Sequence, residues 1–308
     1  MEGNEQSVSV NGFISKIQRY STKDGPGLRS TVFAVGCTLR CQWCSNPELT
    51  GEAAKILYHA GRCVRCGACV EASGGTIRSG VGGCVIDREA CMNLDECADA
   101  CYYDAYEKLG MTVSAEELAT MLLRDKVFYD QSGGGVTYSG GESALQADFF
   151  LDVTKRLKPE GVHVALDTAG NLPWEQISPL IEAVDLVLYD LKTLDSALHE
   201  RYTGADNRLI LENARKIADM GKVITVRLIL VPGVNDTEEE IGGRLEFARN
   251  LGKTVKADIL KYHRLGAGKY ISLGLDEPMK DTPECPDETA EYAVALAAKM
   301  GLTVTIGG

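Results

Sequence analysis

Cys37, Cys41 and Cys44 lie in one short run, Gly36-Cys37-Thr38-Leu39-Arg40-Cys41-Gln42-Trp43-Cys44-Ser45-Asn46-Pro47-Glu48. A four-iron cluster takes four ligands, usually Cys thiolates. This run offers three, with no fourth beside them. One iron would stay open to a ligand that is not protein, and an open position separates a reactive metal site from a closed structural one. Zinc and inert buried thiols are the alternatives. Zinc sites usually pair two Cys-x-x-Cys or Cys/His units, and the four His of this chain are scattered. The run follows Thr31-Val32-Phe33-Ala34-Val35, which reads as a buried strand. Carboxyl ends of strands are where α/β folds carry their chemistry.

The spacing Cys37-x3-Cys41-x2-Cys44, with Trp43 before the last thiol, resembles the radical S-adenosylmethionine (SAM) enzymes. Asp24-Gly25-Pro26-Gly27-Leu28-Arg29 upstream and Trp43 to Glu48 downstream resemble the activating enzymes of glycyl radical enzymes. The resemblance runs from about Phe13 to the C-terminus and skips one inserted segment. It implies an oxidoreductase in which Cys37, Cys41 and Cys44 hold a 4Fe–4S cluster that chelates SAM. One electron then cleaves SAM to methionine and a 5′-deoxyadenosyl radical, which takes a hydrogen atom from a backbone glycine of a partner protein. Rival readings are a radical SAM enzyme acting on a small molecule and a plain electron carrier. The open iron argues against the carrier, which gains nothing from it. Asp-Gly-Pro-Gly is a turn by its chemistry, and beside the cysteine run it is expected to shape the mouth of the site.

Ten of the eleven Cys fall between Cys37 and Cys101, and Cys285 reads as a free thiol. Residues 57–106 hold Cys63, Cys66, Cys69, Cys84, Cys91, Cys97 and Cys101 among frequent glycines, with weak aliphatic periodicity. This segment resembles a two-cluster ferredoxin, in which the last Cys of each Cys-x2-Cys-x2-Cys-x3-Cys run ligates the other cluster. Ser73 and Leu94 stand where two of the eight thiols would fall. By the crossing rule Cys63, Cys66, Cys69 and Cys101 complete one set. The other keeps Cys91 and Cys97, with Cys84 as a candidate recruit or an ordinary small apolar residue. One or two auxiliary 4Fe–4S clusters are therefore expected.

The elements that must position these residues alternate from Met111 onward. Ser114 to Glu117 is a capping box opening a helix, and Thr237 to Glu240 reads as another. Strands are expected over Val8–Gln18, 31–35, 133–139, 162–168, 185–192, 223–231, 255–262 and 303–306, with helices over 147–157, 173–183, 209–220, 238–252 and 287–300. The stretch through Gly266, Gly268 and Gly274 reads as a long loop. Six β-α units argue a parallel sheet with right-handed crossovers. The family resemblance implies a partial (β/α)6 barrel, residues 1–56 and 107–308, around a ferredoxin-like insert at 57–106.

Several strand-end residues could serve this chemistry. Gly140-Gly141-Glu142 lets backbone approach closely; alone it is as readily a simple turn. Asp190 and Lys192 share a face at i and i+2. Arg227 sits inside the apolar strand Ile224 to Leu230, so its guanidinium needs a partner, either a bound carboxylate or an internal ion pair. The resemblance implies SAM contacts from Trp43, Ser45, Ser139, Gly140, Gly141, Glu142, Asp190, Leu191, Lys192, Arg227 and His263. It also implies a monovalent cation site at Asp167 with Thr168 and Asp190. Trp43 would pack near adenine or serve as an apolar lid.

Composition narrows the partners. The chain has 308 residues, 44% hydrophobic and 25% charged, with net charge −12. Nucleic acid and anionic membranes call for basic patches, which this balance disfavours. No apolar run approaches the ~20 residues of a membrane span. With Met1-Glu2-Gly3-Asn4-Glu5-Gln6 at the start, a cytoplasmic protein is expected. In that reducing setting eleven Cys point to metal chemistry rather than disulfides. Expected partners are a glycyl radical enzyme and a reductant such as flavodoxin or ferredoxin, with a monomer when free. The acidic surface and the loop after His263 are candidates for docking.

Overall fold

The computed structural model describes residues 10–51 and 55–307. Its first strand, β1 (Asn11–Ser21), runs back against β2 (Arg29–Ala34). The expected start of β1 at Val8 lies outside the described residues. After β2 come the cysteine run and the insert: β3 (Ile56–Tyr58), α1 (Ala68–Ala72), β4 (Ile77–Gly80), β5 (Gly83–Ile86), α2 (Leu94–Asp99) and β6 (Tyr106–Lys108). The larger body resumes with β7 (Met111–Ser114), α3 (Ala115–Leu123), α4 (Lys126–Ser132), β8 (Gly135–Gly140), α5 (Ala147–Leu157), β9 (His163–Thr168), α6 (Trp174–Ala183) and β10 (Leu186–Asp190). It ends with α7 (Ser196–Thr203), α8 (Arg208–Asp219), β11 (Val223–Leu230), α9 (Glu238–Leu251), β12 (Val255–Lys261), α10 (Ala267–Leu273), α11 (Asp287–Lys299) and β13 (Val304–Ile306).

One nine-stranded sheet organises the chain, in the order β13-β12-β11-β10-β9-β8-β2-β1-β7. From β2 to β13 every neighbouring pair is parallel; β1 is antiparallel to both β2 and β7. The ends, β7 and β13, do not pair with each other, so the sheet does not close, in keeping with the expected partial barrel. Alternation along the strands builds its two faces. Ile224, Val226, Leu228 and Leu230 of β11 are buried toward the helices, whereas Thr225, Arg227 and Ile229 are only half-buried on the other face. A small apolar layer of Ala165, Leu186 and Leu188 lies two residues below Asp167 and Asp190 on the same strand faces.

Ser114 caps α3 as expected: its Oγ accepts from Glu117 N–H at 3.2 Å, and Glu117 accepts from Ser114 N–H at 2.9 Å. At α9 only half of the box forms. Thr237 Oγ1 accepts from Glu240 N–H at 3.2 Å, but the Glu240 carboxylate lies 3.9 Å from the buried Arg244 guanidinium instead of reaching back.

The Asp24 to Arg29 turn is not at the mouth. It joins β1 to the amino end of β2, and Arg29 pairs in register with Gly135, itself opposite His163. The cysteine run leaves the other end of β2, roughly 20 Å away for six extended residues. Arg29 is fully buried there. Its guanidinium donates to Thr137 Oγ1 at 2.6 Å, Val136 O at 2.5 Å and Pro26 O at 3.1 Å. The motif is a plug for the floor of the half-barrel.

Candidate active site

The cysteine loop is tied to its surroundings by backbone. Arg40 N–H donates to Thr203 O at 2.7 Å and Gln42 N–H to Tyr202 O at 2.9 Å, anchoring the loop to the end of α7. Gly36 N–H donates to Leu49 O at 2.9 Å and Glu142 N–H to Gly36 O at 2.6 Å. Two sulfurs accept from backbone: Leu39 N–H to Cys37 Sγ at 3.5 Å and Asn46 N–H to Cys44 Sγ at 3.4 Å. Such N–H groups stabilise thiolate character, a lever on cluster potential. Burial pushes the Cys37 and Cys41 thiols up to about 11 and raises Cys44 as well. The nearby Lys192 charge opposes that rise at all three.

Gly140 and Gly141 are required by the chain itself. A Cβ on Gly141 would meet Gly36 O at 2.0 Å; one on Gly140, whose φ is +110°, would meet Ala34 N at 2.4 Å. The turn after β8 therefore presses directly on the cysteine loop. Glu142 closes it: its carboxylate accepts from Thr168 Oγ1 at 2.7 Å, Ala169 N–H at 3.0 Å and Ala144 N–H at 3.2 Å. Burial holds this carboxyl up at about 7 despite those donors.

On the concave face five side chains form a relay across four elements. Ser139 Oγ donates to Asp167 Oδ2 at 2.6 Å. Arg227 bridges Asp167 and Asp190, its Nε donating to Asp190 Oδ1 at 2.8 Å. Lys192 Nζ donates to Asp190 Oδ2 at 3.0 Å. Two carboxylates and two cations balance, as buried charges must. Burial works against an ionised Asp190, but Arg227 and Lys192 outweigh it and hold the carboxyl at about 2. Burial dominates at Asp167, whose carboxyl is raised. For Arg227, then, the structure shows an internal ion pair. Thr168 does not join Asp167: adjacent strand residues face opposite ways, and its hydroxyl goes to Glu142. Leu191 keeps only its backbone for the site, because its side chain is buried in the main core.

Trp43 is buried against Tyr202, ring centroids 6.1 Å apart. A pocket beside it is lined by Trp43, Cys44, Ser45, Tyr262, His263 and Tyr270. His263 is exposed on the rim. Two supports escaped the sequence reading. The first is α10, within the expected loop: Lys269 Nζ donates to Ser45 O at 2.9 Å, Asn46 Oδ1 at 2.6 Å and Glu48 Oε1 at 2.6 Å, and Tyr270 Oη to Cys44 O at 3.2 Å. The second is Arg244, fully buried, donating to Lys192 O at 3.2 Å, Ile229 O at 3.0 Å and Asn235 O at 2.5 Å. It holds the backbone that carries Lys192. Its signal was legible: Arg244 shares the helical stripe of Ile241, Leu245 and Ala248.

In the insert, β3 pairs with β6 and β4 with β5. Cys63, Cys66, Cys69, Cys84 and Cys101 line one cavity, with Cys69 Sγ and Cys84 Sγ 3.6 Å apart. Cys84 is thus with the first set rather than with Cys91 and Cys97. Arg88 ties this cysteine-rich segment to β3 and α10, donating to Ile56 O and to Ser272 O, each at 2.8 Å. All eleven Cys are free thiols, Cys285 included. Among the described residues no three His, Cys, Asp or Glu side chains converge on a single-ion site, and no helix is long and apolar enough to cross a membrane.

A half-barrel with a three-thiol loop at the carboxyl ends of its strands, beside a balanced charged network, is the arrangement of an α/β enzyme. Residues 83–245 match the model of the Radical SAM superfamily. The isethionate sulfite-lyase activating enzyme of Nitratidesulfovibrio vulgaris is 38% identical over 87% of this chain and 89% of its own length. The choline trimethylamine-lyase activating enzyme of Oleidesulfovibrio alaskensis is 36% identical over 97% of this chain and 99% of its own. The Streptococcus suis SuiB structure with its precursor peptide shares the fold, at TM-score 0.55 and 13% identity, over 90% of this chain and 48% of that one. The chain belongs to the radical SAM superfamily, among the activating enzymes of glycyl radical enzymes. SAM and a 4Fe–4S cluster come with that membership, and the electron-carrier and small-molecule readings fall away.

Proposed function

We propose that Cys37, Cys41 and Cys44 hold the cluster that serves this chemistry, and that the concave network beside them seats SAM. The donor set fits: three thiols come from one loop, two receive backbone N–H, and the Lys192 cation acts on all three. When bound, the cluster would pass one electron from an external reductant to SAM, which would leave as methionine and 5′-deoxyadenosine, the latter carrying a hydrogen atom from a glycine Cα of the partner. The protein's part is to bind, orient and exclude water. Lys192, kept cationic by Asp190 against its burial, offers a positive charge to the SAM carboxylate. Asp190, fixed by Arg227, offers an acceptor for ribose. Ser139, Gly140, Gly141 and Glu142 form the wall next to the amino group. Trp43, Ser45 and His263 border the pocket on the adenine side. Asp167 is occupied by Ser139 and Arg227, so a monovalent cation there would share it with the guanidinium.

We also take 57–106 as an inserted module between barrel segments 1–56 and 107–308. Its support is a local apolar cluster of its own and the β3–β6 pair at its base. It would carry electrons from a flavodoxin- or ferredoxin-class donor toward the loop. The free chain is taken as a cytoplasmic monomer. The observation that carries the reading is the three-thiol loop wedged between the β8 turn and α10. The test is electron paramagnetic resonance. The reduced, iron-loaded protein is mixed with SAM and a glycyl radical enzyme from a neighbouring reading frame. A doublet that collapses when the partner carries Cα-deuterated glycine is expected. Its absence for a partner that other activating enzymes do activate would refute the assignment.

A further inference from the structure

The seven thiols of the insert are unevenly placed. Five line one cavity and also border the insert's apolar cluster or pack in it, except Cys66; Cys91 and Cys97 are buried in that cluster with Ile56 and Ile77 but do not line the cavity. A second four-iron site needs two more ligands, at the positions taken by Ser73 and Leu94. Ser73 is 4% exposed, and its hydroxyl is fully spent. It donates to Val70 O at 2.8 Å and accepts from Ile77 N–H at 3.1 Å and Gly75 N–H at 3.3 Å. One donor and two acceptor sites are all a hydroxyl has. Leu94 packs against the same apolar cluster.

Among the described residues, the groups nearest this pair are engaged elsewhere. Cys84 is held at the other cavity, its N–H donating to Tyr58 Oη at 2.6 Å and its sulfur beside Cys69. Cys91 Sγ faces Asn93 Oδ1 at 3.7 Å, and the Asn93 amide donates to Ala72 O at 2.8 Å. Asp95 and Asp99 pair with Lys108 at 3.4 and 2.8 Å. The five-thiol cavity, by contrast, has an unspent polar group on its wall. Tyr106, 8% exposed, lines it with a buried hydroxyl that has no hydrogen-bond partner among the described residues.

We propose that the insert holds one auxiliary four-iron cluster and not two. Cys63, Cys66, Cys69 and Cys101 bind it, Cys84 stands beside it as a fifth thiol, and the Tyr106 hydroxyl donates to its sulfur. Cys91 and Cys97 occupy a dry core position without iron. The inference rests on the iron–sulfur reading above but not on the glycine chemistry.

The test is a count of iron and labile sulfide per chain, after anaerobic reconstitution and removal of unbound metal. Two four-iron clusters predict about eight iron atoms. A C37A/C41A/C44A triple variant and a C63A/C66A double variant should each fall to about four, one cluster remaining. A C91A/C97A double variant should keep about eight, both clusters being untouched. Three results would overturn the proposal. One is about twelve iron atoms in the parent, the sum for three clusters. Another is a loss of about four, one cluster's worth, in a C91A/C97A protein that melts like the parent. The last is no iron remaining in the triple variant. Should C91A/C97A fail to fold, the parent count decides, with spin integration of the reduced protein as a second reading. Failure to make 5′-deoxyadenosine with the eight-iron count intact would count against the SAM chemistry and leave this assignment standing.

Discussion

Replacing Arg227 with Met removes the one cation that bridges Asp167 and Asp190. Side-chain exposures of 12% for Arg227, 14% for Asp167 and 27% for Asp190 place the group out of bulk water. Removing one member of such a buried pair costs about 3–5 kcal/mol, because the partners keep their charge and lose their counter-ion. Lys192 at 3.0 Å and Ser139 at 2.6 Å stay behind and limit the damage to the lower part of that range. At ~2 °C per kcal/mol, the small end for large domains, a loss of about 3–4 kcal/mol means that R227M should melt about 6–8 °C below the parent at pH 7. The pH dependence has a definite sign. Asp190 is depressed to about 2, so its contribution is present above the ordinary Asp range and is lost as pH falls toward 2. Asp167 is raised and protonates even earlier on acidification. Both carboxyls thus lose their need for Arg227 in acid, and the gap between parent and R227M should narrow below about pH 4. A D167N/R227M double variant should recover about 1–3 kcal/mol relative to additivity. Thermal melts followed by circular dichroism are sufficient. An R227M protein melting within ~1 °C of the parent, as for an exposed pair, would refute the reasoning.

Three further outcomes are expected. Gly141→Ala puts a Cβ 2.0 Å from Gly36 O, with backbone on both sides; it should cost at least ~3 kcal/mol in urea melts and reduce iron retained by the cysteine loop. Lys269→Met strands the buried Glu48 carboxylate and frees the backbone of residues 45–48; a loss of about 2–3 kcal/mol and faster iron loss to a chelator should follow. Glu142, raised from 4.5 to about 7, keeps its proton in the folded state longer than in the unfolded one. Stability should therefore fall as pH rises from about 4.5 to 7, by up to about 3 kcal/mol, and stay lower above that; the slope should vanish from the Glu142→Gln profile.

Much of this architecture could be read from the chain. Val162 to Thr168 and Val223 to Val231 are apolar runs bounded by Gly and Pro, and both are strands of the parallel sheet. Gly140-Gly141-Glu142 was legible as a close-approach turn, though what it approaches is the cysteine loop. Periodicity reports which face of an element is buried and not which end of a strand a motif occupies, so Asp24 to Arg29 was expected at the mouth and lies on the floor. α10 was hidden because it is short, has Gly268 inside it and buries only Tyr270 and Leu273. α7 was hidden because its apolar signal is thin, with His199 and Thr203 as its buried residues. Cys84 could not be allotted by spacing, because the β4–β5 hairpin, not the cysteine arithmetic, decides which cavity it enters.

The central claim is that the Cys37, Cys41 and Cys44 loop cleaves SAM, and one measurement addresses it directly. The protein is loaded with iron and sulfide, reduced without oxygen, given SAM together with its glycyl radical enzyme, and assayed for 5′-deoxyadenosine against Cys41→Ala. Because the insert's thiols are untouched, the variant should retain the auxiliary iron and its reducibility. The account predicts product from the parent and none above background from Cys41→Ala. Equal yields from both, or no product from a fully loaded and reduced parent in the partner's presence, would contradict it.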